Sequence, residues 1–115
     1  MPTIKDLIDR LHLTLKAGAV DSPVQVLGGY ASDLLSDVMA NSKPGFLWIT
    51  LQVHQNIVAV AALKELAGII LVNGRVPDEE TIRKAGEENI VIATSSLPAF
   101  ELIGRIYELG IRGIQ

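Results

Sequence analysis

Four short clusters in this chain carry side chains with chemistry to offer. Gln52, His54, Gln55 and Asn56 set an imidazole beside three amides, groups suited to holding a phosphate, a carboxylate or a base edge where a helix begins. Asn73-Gly74-Arg75 joins a glycine that permits positive φ or close backbone approach to a guanidinium whose planar fork can clamp an anion. Thr94-Ser95-Ser96 offers the hydroxyls and N–H groups of a phosphate cradle, and Gly28-Gly29-Tyr30 could lay bare backbone and a phenol ring against a ligand. Each has a plainer reading: Gln55, Asn56 and the Thr-Ser-Ser run as helix caps, Arg75 as a solvated side chain after a turn, Tyr30 as a ring packed at an edge. Joint placement favours the first set of readings. Three of the clusters would occupy the carboxyl ends of adjacent parallel strands, where open α/β sheets bind ligands.

The same inventory excludes much. Without cysteine there are no disulfides, thiolate metal sites or thiol nucleophile, and the two histidines, His12 and His54, fall in no metal-ligand spacing. Neither a P-loop, a Gly-x-Gly-x-x-Gly fingerprint nor a Gly-x-Ser-x-Gly elbow occurs. Glu79-Glu80 and Glu87-Glu88 bracket the most polar helical stretch and read as its solvated face. No metal, no cofactor and no catalysis are therefore expected, and the remaining enzymatic alternative is a phosphotransferase or hydrolase using His54 as base. A net charge of -3 without any basic block argues against nucleic acid or anionic lipid as partner. Asp6 and Asp9 stand where a signal peptide needs an apolar core, and the apolar stretch from Ile57 to Val72 is broken by Lys64, Glu65 and Gly68. A cytoplasmic protein that neither enters nor binds a membrane is expected.

The elements that must position these clusters follow from periodicity. At 115 residues, 49% of them hydrophobic, the chain fits one compact domain. Thr3 with Asp6 forms a short capping box before a helix carrying Ile4, Leu7, Ile8 and Leu11 on one face. His12 to Lys16 alternates as a half-buried strand, Gly18 to Pro23 is a turn, and Val24 to Leu27 reads as a second strand ended by Gly28-Gly29. A helix opens at Ala31 or Ser32 and runs to about Ala40, with Leu34, Leu35, Val38 and Met39 grouped and Asp33 favouring its N-terminal end. Phe46 to Thr50 is a central strand, and Ile57 to Leu66 is a helix apolar almost all round, buried on several sides or meeting another subunit. Strands at Ile69 to Val72 and Ile90 to Ala93 each precede a helix, Asp78 to Glu88 and Leu97 to Leu109. On the latter, Phe100, Ile103 and Tyr107 join Leu102, Ile106 and Leu109 in a wide core-facing surface. Ile111 to Ile114 is an edge strand or a docked tail. Alternating strands and helices predict a single-domain α/β fold, a three-layer sandwich whose mainly parallel sheet carries helices on both faces.

Val26-Leu27-Gly28-Gly29-Tyr30, Asp33 through Met39 and Gly104 through Gly110 together resemble stand-alone members of the DRTGG domain family. The segment from Thr3 to Gly18 is similar to the opening of the N-terminal domain of HPr kinase/phosphorylase. The likeness is strongest from Ala67 to Phe100, where strand, turn, Pro-acidic helix start, strand and Thr/Ser turn follow in the family's order. Of the name-giving motif, which would fall near Gln52 to Asn56 and at Val72-Asn73-Gly74, only the last glycine is present. The resemblance implies a regulatory or ligand-sensing module that associates as a homodimer; the kinase's catalytic P-loop belongs to a domain this chain lacks.

Residues and resemblance together predict a small anionic or adenine-nucleotide ligand at the carboxyl ends of the strands, with the domain's state passed to a partner protein. The expected ligand-binding residues are His54, Asn56, Asn73, Gly74, Arg75, Thr94, Ser95, Gly29 and Tyr30. The alternative is a non-catalytic scaffold whose Ile57 to Leu66 and Leu97 to Leu109 helices form a protein interface.

Overall fold

The computed structural model describes residues 2–21 and 23–114. In chain order it contains α1 (Ile4–Arg10), β1 (Thr14–Ala17), β2 (Gly28–Ala31), α2 (Leu35–Asn41), β3 (Phe46–Thr50), α3 (Asn56–Leu63), β4 (Gly68–Leu71), α4 (Glu79–Glu88), β5 (Ile92–Thr94) and α5 (Ala99–Glu108). The sheet has five strands in the order β1-β5-β4-β3-β2; β2 to β5 are parallel, and β1 joins β5 antiparallel. β3 and β4 are buried at every position, as strands covered on both faces must be. One face packs Val38, Ile57, Ala61 and Ala85 of α2, α3 and α4 over Trp48 and Ile69. The other packs Ile4 and Leu7 of α1 and Leu102 and Ile106 of α5 over Leu47 and Ile70. This is the expected three-layer α/β sandwich. Among the described residues no helix is long and apolar enough to cross a membrane, and no cluster of His, Asp and Glu is arranged to hold a metal ion.

Local chemistry sets the element ends. The Thr3 hydroxyl accepts from the Asp6 N–H (3.1 Å) while the Asp6 carboxylate accepts from the Thr3 N–H (2.9 Å), the reciprocal box the sequence predicts. α3 is buried through Ile57, Val58, Val60 and Ala61, lying between α2 and α4 as its apolar girth requires, although Leu63 at its end is exposed.

Several expectations shift. The second strand is Gly28–Ala31, not Val24 to Leu27: Gln25 makes only an isolated bridge to Thr3, and the Val26 N–H donates to the Pro2 carbonyl. Gly28-Gly29 therefore lies inside a strand instead of ending one. A Cβ on Gly28 would stand 2.4 Å from the Phe46 ring, so the position is held by close packing. The first strand begins at Thr14, because His12 takes positive φ after α1, and Leu15 is exposed at an irregular register. α2 starts three or four residues late, at Leu35, and buries only Val38; Leu34 and Met39 are exposed. Phe100 (85% exposed) and Tyr107 (50%) point away from the core that Leu102 and Ile106 enter, so the core-facing surface of α5 is narrower than its sequence suggests. The last residues form a docked tail, with Ile111 buried and the Arg112 carbonyl accepting from the Gly29 N–H (3.0 Å). The turn expected from Gly18 to Pro23 includes Ser22, which lies outside the described residues.

Candidate functional site

Parallel strands β2 to β5 send their carboxyl ends to one rim of the sheet. Their exits diverge: α2, α3 and α4 pass to one face, whereas α5, leaving β5, passes to the other. The switch point where ligands enter such sheets thus falls between the ends of β4 and β5. Asn73, Gly74, Thr94 and Ser95 all come together there, with Asn73 and Gly74 at positive φ. The gap is sewn shut by the backbone. The Asn73 N–H donates to the Leu97 carbonyl (2.8 Å), the Gly74 N–H to the Ser95 carbonyl (2.9 Å), and the Ser95 N–H to the Leu71 carbonyl (2.8 Å). The Ser95 hydroxyl, itself buried, accepts from the Leu97 N–H (3.1 Å) and closes the turn before α5. These donors are spent within the fold.

The other expected residues lie apart from this seam. His54 is on the surface beyond β3, its Nδ1 2.6 Å from the Asp78 carboxylate. That pairing fixes the ring and leaves Nε2 facing solvent. Asn56, the first residue of α3, and Arg75, after the β4 turn, are exposed. Tyr30 donates its hydroxyl to Asp37 (2.8 Å) on the α2 side of the sheet, where Asn41 also donates to Asp37. This contact raises the Tyr30 pKa and lowers that of Asp37. Gly29 faces the opposite side, toward Ile49 and Ile111.

The open rim lies instead at the ends of β2 and β3. There Asp33 accepts from the Thr50 hydroxyl and from the Leu51 N–H, both at 2.7 Å, tying the two strand ends together with a full negative charge. Gln52 donates to the Asp33 carbonyl (2.8 Å), and the Trp48 indole donates to the Ser32 carbonyl (2.8 Å). A hollow of about 200 Å³ between Ser32, Asp33, Thr50, Val72 and Ala99 opens at this rim. It shares Ala31 and Ile49 with a second hollow of about 170 Å³, floored by Gly29 and walled by Ile103, Ile106 and Ile111. This in turn shares Ile103, Tyr107 and Arg112 with a shallower one of about 490 Å³ along the outside of α5. Together they make an apolar trench along β2, between α5 and the tail. Arg112 is the one cationic side chain lining it among the described residues, and it sits 3.9 Å above the Tyr107 ring centroid.

Reading the second strand four residues early hid this rim. With β2 ending at Ala31, a small polar residue followed by an acid, Ser32-Asp33, is the signal that a strand tip lies there.

The fold and the trench define an α/β domain with an apolar ligand-sized groove beside an edge strand. No protein-family model matches the chain, and neither does any curated protein. Among solved structures it is similar to the CBS and DRTGG domains of the regulatory region of a Clostridium perfringens pyrophosphatase, complexed with the activator diadenosine tetraphosphate. The TM-score is 0.74 at 16% identity, over 90% of this chain and 45% of that one. The chain thus spans under half the length of that neighbour, and the likeness is one of fold.

Proposed function

We propose that this domain is a ligand-sensing regulatory module whose ligand is an organic anion with a flat apolar part, of which an adenine nucleotide is the leading example. The trench along β2 carries the reading. Its floor of Gly29, Ala31 and Ile49 suits a planar ring, and apolar walls with few polar groups are the usual make-up of a small-molecule site. Charge orients the ligand. The strand-tip end holds the Asp33 carboxylate, and the one cation of the trench is Arg112, which lies over the Tyr107 ring, donates to the Tyr107 carbonyl and has Glu108 on the same hollow; the anionic end is proposed to turn toward this guanidinium. This orientation departs from the strand-tip position expected for the anion. The regulatory part rests on the resemblance to DRTGG domains and on the fold shared with a regulatory region complexed with a nucleotide activator.

Calorimetric titration with AMP, ATP, diadenosine tetraphosphate and acetyl phosphate tests it. Gly29 has no positive φ and a Cβ there meets only ordinary contacts, so Gly29→Val places its Cβ over the floor without backbone strain. It is expected to abolish binding, whereas Arg112→Ala weakens anionic ligands by about tenfold. No heat from any ligand, or equal binding by wild type and Gly29→Val, rejects the trench as the site.

A further inference from the structure

Asp33 uses its two carboxylate oxygens unequally. Oδ1 accepts from the Thr50 hydroxyl and from the Leu51 N–H, both at 2.7 Å, which occupies the two lone-pair positions an oxygen offers. Oδ2 accepts from no side chain or N–H among the described residues. Both bonds to Oδ1 come from the end of β3, so the carboxylate cannot exchange its oxygens without breaking the tie between the two strand tips. The neighbouring hydroxyls of the hollow are already engaged: that of Thr50 also accepts from the Gln52 N–H (3.1 Å), and that of Ser32 accepts from the Leu34 N–H (3.1 Å). Ala31, Ile49, Val72 and Ala99 supply apolar lining. Oδ2 is thus a charged acceptor of fixed orientation beside a hollow that otherwise suits a ring.

We infer that Asp33 selects the base of the ligand, its Oδ2 accepting a hydrogen bond from an amino group on the ring edge. The inference rests on the trench reading and adds to it which base the trench takes. Arg112 lines the outer hollow, Gly29 floors the middle one, and Asp33 lines the one at the strand tip, which joins the middle through Ala31 and Ile49. A nucleotide whose phosphates turn toward Arg112 and whose ring lies on the floor presents the ring edge remote from its sugar to Asp33. On adenine that edge carries an N–H₂ donor, whereas guanine sets its O6 acceptor there, facing a carboxylate of like charge. The paired N–H donors of guanine match a carboxylate that offers both oxygens side by side. With Oδ1 filled, Asp33 has one oxygen to give, which fits a single amine.

Calorimetric titration of the intact chain with ATP, GTP and purine riboside triphosphate, which lacks the amine, tests the inference. Asp33 is exposed, so water competes for Oδ2, and ATP is expected to bind about tenfold more tightly than either of the others. Asp33→Asn keeps an oxygen for Thr50 and Leu51 and replaces Oδ2 by an N–H₂ group. It should bring ATP and the amine-free nucleotide to within about twofold of each other, while the melting temperature shows that the strand tie persists. The wild-type comparison of these two ligands decides the matter even if the variant folds poorly. Equal wild-type binding with and without the amine, or a preference for ATP that survives Asp33→Asn, overturns the inference. If all three bind alike and Gly29→Val blocks them, the trench stands and only the role of Asp33 falls; if none binds, both fall.

Discussion

Gly28 and Gly29 are neighbours in one strand, yet their missing side chains serve different ends. At Gly28 the space is filled by the Phe46 ring, and a Cβ would lie 2.4 Å from it; at Gly29 the nearest atoms are 3.9 Å away and the space belongs to the trench. Gly28→Ala is therefore expected to lower stability by about 1–3 kcal/mol, read from the urea midpoint, because a buried ring in a close-packed layer must move. Gly29→Ala should leave that midpoint nearly unchanged. A sequence shows both as turn-forming glycines, and the pair was expected to end a strand; only the lateral register against β3 separates them. Asp33 carries the same lesson. Its position suits a helix start, but its carboxylate binds Thr50 and Leu51 across the rim, a pairing set by residues 17 and 18 positions away and invisible to local pattern.

Elements whose ends are fixed by their own residues were legible. α1 has its Thr3–Asp6 box, and β3 and β4 are apolar runs too short for helices. Where an end depends on a neighbour, the boundary moved, as at β2 and α2. Helix α2 shows the dependence plainly: no side chain caps its start, and it is anchored through Asp37, which accepts from Tyr30 of β2 and from Asn41. The Tyr30 hydroxyl bond holds the Asp37 carboxyl below the usual range, so its contribution is present at neutral pH and is lost as pH falls through that lowered value. Tyr30 titrates in the opposite sense: its raised pKa means the bond's contribution persists below the usual phenol value and disappears above the raised one. Asp37→Asn should accordingly lower the melting temperature at pH 7, with a deficit that shrinks as pH falls below the usual carboxylate range. A deficit that stays constant as pH falls would show that the carboxylate charge is not what Tyr30 reads.

On the scale of the whole molecule, the trench follows from unequal coverage. Three helices pack on one face of the five-stranded sheet, and only α1 and α5 on the other, leaving Gly29 and Ala31 of β2 bordered by the short tail. The layering was readable from the alternation of strands and helices, but which strand would be left half covered was not, since that depends on α5 crossing to the opposite face. The sole tryptophan bears on this asymmetry. Trp48 is fully buried beneath the three-helix layer, yet its indole N–H reaches around the strand ends to the Ser32 carbonyl on the rim. The protein thus carries a built-in optical gauge: its fluorescence should be blue-shifted and shielded from iodide at rest, and any molecule that settles against Ser32 should alter the emission lifetime without touching the ring itself.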